Sequence, residues 1–133
     1  MNNLIKGTLA YVVVTFPVAM IWHMVLFKQV YLDLALYSNS EEPVVALGLL
    51  SMVIQGVILA WLFPKTSFAD GTMKGALHYA WLMGLFFASG SVIAEVAKHT
   101  VTSYSTWFLV AGSFALVHFT LVGIAFGMLY KNK

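Results

Sequence analysis

Apolar residues gather in four long runs, at roughly 8–27, 44–63, 76–98 and 106–129, with short polar stretches between them. Each run holds about 20 residues or more, and at about 1.5 Å per residue a helix of that length crosses a hydrocarbon core of roughly 30 Å. A membrane strand needs only about ten residues alternating in polarity, and none of the runs alternates in that way. The pattern predicts an all-α fold, a four-transmembrane-helix bundle in which residues 1–133 form a single membrane domain. The first run, which follows Lys6, could pass for a signal peptide. It is longer than an h-region and shows no small-x-small cleavage site before Lys28, so it is expected to be retained as the first helix.

The polar stretches set the connections. The longest covers about 28–43, and its segment Tyr31-Leu32-Asp33-Leu34-Ala35-Leu36-Tyr37 mixes apolar and aromatic residues with one acid. That mixture predicts a short interfacial helix lying on the membrane surface. Ser38-Asn39-Ser40-Glu41-Glu42-Pro43 reads as a turn that leads into the second helix, with proline in its first turn. Pro64 to Lys74 is a polar turn containing Asp70-Gly71. Pro17, inside the first run, predicts a bend and a freed backbone carbonyl. No internal repeat is present, so the inverted-repeat logic of transporters gains no support.

Composition narrows the function classes. Apolar residues make up 61% of the chain and charged residues 9%, against about 25% charged in a soluble domain. With 133 residues almost consumed by the spans, no separate catalytic domain fits. Cysteine is absent, which excludes disulfides, thiolate metal sites and thiol nucleophiles. Arginine is absent as well, so planar bidentate clamps on carboxylate or phosphate are excluded. No basic stripe exists for nucleic acid. Five of the seven lysines (Lys6, Lys65, Lys74, Lys131, Lys133) fall on one side. Lys28 and Lys98 fall on the other, with Asp33, Glu41 and Glu42. The positive-inside rule then predicts both termini in the cytoplasm of a cell with this chain in its inner (plasma) membrane. Trp22, Tyr31, Tyr104 and Trp107 are expected in an outer aromatic belt, and Tyr11, Trp61, Tyr79, Trp81 and Tyr130 in an inner one.

Small residues mark the faces along which helices meet in lipid. On the third helix they are Ala80, Gly84, Ala88 and Ser91, continuing to Glu95 and Lys98. On the fourth, Ala111, Ala115, His118, Val122 and Ala125 share one face, and Ser113, Thr120, Gly123 and Gly127 a neighbouring one. On the second, the expected face is Gly48, Ser51 and Gln55.

Polar side chains inside the runs fall into two layers. Gln55 and His118 each lie about 12 residues from the outer end of their helix, roughly 18 Å down, with Thr15 and Ser89 near that height. They read either as an interhelical hydrogen bond that fixes the bundle or as a polar relay or small-ligand site. The outer layer holds His23, Glu95, Lys98 and His99. Glu95 is the only acid within a run, and a carboxylate there calls for a partner, a proton or water. Three readings stand side by side: an ion pair of Glu95 with Lys98; a proton or small-solute site at Glu95 and His23; and a zinc or iron site from His23, Glu95 and His99. Haem would need two histidines at one depth, which His23 and His99 could supply and His118 could not. His78 reads as a solvated residue at the inner end.

Trp22-His23, Phe27-Lys28, Tyr31, Leu49-Leu50-Ser51-Met52, Gln55-Gly56, Leu82-Met83-Gly84-Leu85-Phe86, Glu95, Lys98-His99 and Ser105-Thr106-Trp107 together resemble small bacterial four-helix membrane proteins of unknown function. The likeness covers most of the chain and implies that the polar residues above coincide with family-like positions; no activity comes with it. Fluoride channels and glutathione-linked membrane enzymes depend on arginines, and small multidrug exporters carry an essential acid within the first helix, where this chain has Thr15 and His23.

The leading expectation is a non-enzymatic protein that binds or passes a small solute or protons through an outer-facing polar pocket. Glu95, His23, His99 and Lys98 would line it, with Gln55 and His118 deeper along the path. The alternatives are a metal- or haem-binding redox subunit and an accessory subunit. No cofactor is required by the leading expectation. The expected partners are the lipid bilayer and either further copies of the chain or a larger membrane complex.

Overall fold

The computed structural model describes residues 2–35 and 44–131. The turn expected over 38–43 with Glu41, Glu42 and Pro43, the residues Leu36 and Tyr37, and Lys133 lie outside the described residues. Among the described residues, four helices are long and apolar enough to cross a membrane: Asn3–Leu26, Val45–Lys65, Met73–Lys98 and Tyr104–Leu129. Three of them start on side-chain caps that sequence composition favours. Asn2 accepts from Leu4 N–H, Thr72 from Gly75 N–H and Ser103 from Thr106 N–H, each relieving an amide that the first turn leaves without a partner.

The first helix lies between the second and the fourth, and the fourth packs along the third. Tyr130 Oη donates to the Asn3 carbonyl at 3.0 Å, so the two chain ends meet at one end of the bundle. An aromatic core closes this end. Phe63, Tyr79, Phe126 and Tyr130 pack ring against ring, and Tyr79 Oη donates to the Leu59 carbonyl at 2.9 Å. Of the residues expected in the belts, Tyr11, Tyr79, Tyr130 and Trp107 are buried, whereas Trp61, Trp81 and Tyr104 are exposed. A ring near a helix end is drawn inward when its polar tip finds a protein partner. Tyr11, Tyr79 and Trp107 each find one.

Small residues set the interhelical distances, with one change of face. Gly123 and Gly127 turn toward the third helix, where a side chain at Gly123 would meet Ala80 Cβ at 3.0 Å. The second helix uses Gly56, Leu59 and Ala60, with Gly56 against Thr8 and Tyr11. Gly48 and Ser51, expected on that face, are exposed, and Gly48 has nothing within 4 Å. The contact face sits closer to the termini because the helix meets its neighbour only along that half.

Two spans widen at the end far from the termini. Ile21–Leu26 and Ser89–Ile93 form π-helical turns. The first lies four residues beyond Pro17, and it ends where Phe27 N–H bonds the Trp22 carbonyl five residues back. The second contains two serines that bond to their own helix, Ser89 to the Phe86 carbonyl and Ser91 to the Phe87 carbonyl. Such back-bonding draws carbonyls out of the regular ladder. A short helix runs over Lys28–Asp33, overlapping the start of the segment 31–37 where a surface helix was expected. It ends at Asp33, and two residues on Ala35 lies in the left-handed region at φ 55°. Leu34 is 2% exposed, packed with Val92, Trp107 and Ala111, and Thr102 bonds to the carbonyls of Asp33 and Leu34. This short helix is thereby tied to the connection between the third and fourth spans.

Candidate functional site

The polar residues at mid-height converge. Thr15 Oγ1 and His118 Nε2 lie 2.8 Å apart, joining the first and fourth spans, with Thr15 4% and His118 1% exposed. Tyr11 Oη donates to Gln55 Oε1 at 2.6 Å, and Gln55 Nε2 donates to Ser51 Oγ at 3.0 Å. Tyr11 and Thr15 are one turn apart on the same face of the first span. Polar groups thus run across three helices from Ser51 through Gln55, Tyr11 and Thr15 to His118. The expected single interhelical bond is two bonds, and Tyr11, assigned from its sequence position to an interfacial belt, is their hinge. The i, i+4 spacing of Tyr11 and Thr15, set against Gln55 at the same depth, was the available signal for it. Ser89 stands outside this layer, bonded within its own helix.

Around His118 the walls are aromatic. Tyr11, Phe87, Phe114 and Phe119 have ring centroids 5.6, 6.5, 5.4 and 4.6 Å from the imidazole, with Phe114 stacked on it at 18°. Phe114 lies one turn before His118 on the same helix, and its ring also meets His23 at 4.6 Å and Trp22 at 5.9 Å. His23 in turn packs on Tyr31 at 4.8 Å, beneath the short helix. The wide turn over Ile21–Leu26 brings the consecutive residues Trp22 and His23 to the same ring. His23 and His118, expected in separate layers, are therefore linked through Phe114. Sequence reasoning overlooked Phe114, Trp22 and Tyr31 as members of the site because aromatic residues in an apolar run carry no positional signal of their own.

The outer charged residues do not join this cluster. Glu95 pairs with His99 one turn on at 3.8 Å, with side chains 27% and 57% exposed. Lys98, the expected partner of Glu95, is exposed at the end of its helix and makes no ion pair among those described. His78 is exposed near Trp81, as expected of an end residue. His23, Glu95 and His99 are not brought together as ligands. Among the described residues no group of three His, Cys, Asp or Glu side chains stands where it could hold a metal. The reason is geometric: His23 turns inward against Phe114, while His99 follows the last turn of its helix out to the surface.

No family model, curated protein or solved structure matches this chain. The structure itself shows four helices long and apolar enough to cross a membrane.

Proposed function

We propose that this chain is a non-enzymatic membrane protein that binds or passes protons, or a small polar solute, between its far end and the middle of the bundle. In this reading both termini are cytoplasmic and the short helix Lys28–Asp33 covers the outer mouth. One observation carries it: a histidine at the centre of an apolar bundle, 1% exposed, bonded to Thr15 at one ring nitrogen and unbonded at the other. A titratable ring at that depth is costly and tends to mark a path for protons or ions. His23 is the next titratable group outward, across Phe114, and the bonds through Tyr11 and Gln55 extend the polarity inward. Glu95 and His99 then stand at the entrance, His99 exposed and Glu95 partly so.

The test is proton flux in proteoliposomes carrying an internal pH-sensitive dye, driven by a potassium gradient with valinomycin. Wild-type protein is expected to change the internal pH faster than empty vesicles. His118→Gln, which can still bond Thr15 but cannot titrate, is expected to bring the rate down to that of empty vesicles. A wild-type rate equal to that of empty vesicles, or one untouched by His118→Gln, refutes proton passage.

A further inference from the structure

Two shielded nitrogens inside the bundle have no hydrogen-bond partner in the protein: Trp22 Nε1 towards the far end and His118 Nδ1 at mid-height. They belong to different spans, yet both side chains neighbour the same ring, Phe114, at 5.9 and 5.4 Å between centroids. Two such groups beside one ring are unusual, because buried donors and acceptors are nearly always paired. In an apolar bundle, lipid offers them nothing in exchange. Their chemistry restricts what could pair them. Trp22 Nε1–H only donates, so the partner must accept a hydrogen bond and cannot be a metal ion or other cation. His118 Nε2 is engaged with Thr15, and Nδ1 is a donor or an acceptor according to the tautomer. The partner must serve either case, so it must both donate and accept. The rings around the imidazole are Tyr11, Phe87, Phe114 and Phe119, and no ammonium is among them to hold an anion. A small neutral molecule that donates and accepts meets every condition, and water is the smallest.

We infer that internal water is bound around Phe114, hydrogen-bonded to Trp22 Nε1 and to His118 Nδ1. As the carrier of a proton between His23 and His118 this water rests on the reading proposed above; as a bound molecule it does not.

The test is water-selective NMR on deuterated protein in nanodiscs, with nitrogen-15 in the indoles and the Trp22 signal assigned by Trp22→Phe. A water cross-peak is expected at the Trp22 indole N–H. None is expected at Trp107, whose Nε1 donates to the Val92 carbonyl at 2.8 Å. His118→Leu is expected to weaken the Trp22 cross-peak severalfold. His118→Asn, whose amide reaches the place of Nδ1, keeps it and serves if the leucine variant does not fold. No cross-peak at Trp22 in the wild type overturns the inference, as does one that the leucine change leaves intact or the asparagine change abolishes. Proton flux without the cross-peak sinks the water and spares the proton reading; the cross-peak in a protein that passes no protons does the reverse.

Discussion

Replacing Gly84 by alanine tests how the third and fourth spans are held together. The new methyl carbon would lie 2.8 Å from Phe119 Cγ and 2.9 Å from Phe119 Cβ. Phe119 Cβ is fixed by its backbone, and its ring, 2% exposed, is enclosed by His118 and Phe87, so rotation offers no relief. The helices must separate by a few tenths of an ångström, and overpacking of this kind costs about 1–3 kcal/mol. Alanine also gains helix propensity over glycine, about 1 kcal/mol, which hides part of the clash. Gly112→Ala supplies the correction: it is also inside a long helix, but its added carbon meets nothing within 4 Å. Propensity cancels in the difference between the two variants, which isolates the clash at about 1–3 kcal/mol, with Gly84→Ala the less stable. Unfolding in mixed micelles, followed by the loss of helical circular dichroism, measures both. A difference below about 0.5 kcal/mol would mean that the third and fourth spans do not approach as closely as Gly84 and Phe119 require.

Thr15→Val removes the partner of His118 Nε2 while keeping the side-chain volume. Interhelical bonds of this kind are worth about 0.6 kcal/mol on average and about 1.7 at most, so a loss in that range is expected in the same unfolding assay, and a neutral result refutes the bond. Asp70 offers a pH signature at the start of the third span. Hydrogen bonds from the Thr72 hydroxyl and backbone N–H hold its carboxyl below the usual carboxylate range. Its folded value is depressed, so its contribution is fully present above the ordinary carboxylate range and is lost only as pH falls through the lowered value. An NMR titration of the Thr72 amide should therefore have its midpoint below the ordinary Asp value of about 3.9; a midpoint at or above it contradicts the bond. Glu95→Gln disturbs only a half-exposed pair with His99, so stability should change by less than about 0.5 kcal/mol. Flux should slow without vanishing; complete loss of flux would return Glu95 to the centre of the path.

How far the chain could be read without its coordinates depended on the kind of signal. The four long helices, and a short helix close to the segment 31–37 where one was expected, follow from local rules of length and amphipathicity, whereas the caps at Thr72 and Ser103 start the third and fourth spans a few residues before the apolar runs. Depth was legible for the same reason. Counting residues from a helix end placed Gln55, His118 and Thr15 at one height, and all three do take part in one layer of hydrogen bonds. Azimuth was less so. The face expected on the second helix, Gly48 and Ser51, is open, while Gly56 and Ala60 make the contact. In lipid every face of an apolar helix is equally content, so polarity does not point inward as it does in water.

The amino-acid order alone was enough to establish a helical chain suited to a membrane and the chemistries that its missing cysteine and arginine exclude. Packing made the remaining choices. It turned Tyr11 and Trp107 inward from the expected belts, set His23 and His118 on two sides of Phe114, and kept Glu95 and His99 apart from them. Tyr11 and Trp107 turn inward because their polar tips find protein partners, and the wide turns at Ile21–Leu26 and Ser89–Ile93 rotate the far ends of two helices, with His23 and Glu95, out of the regular register. A shift of one residue moves a side chain by about 100° around the axis, and no periodic pattern drawn along the chain survives that rotation.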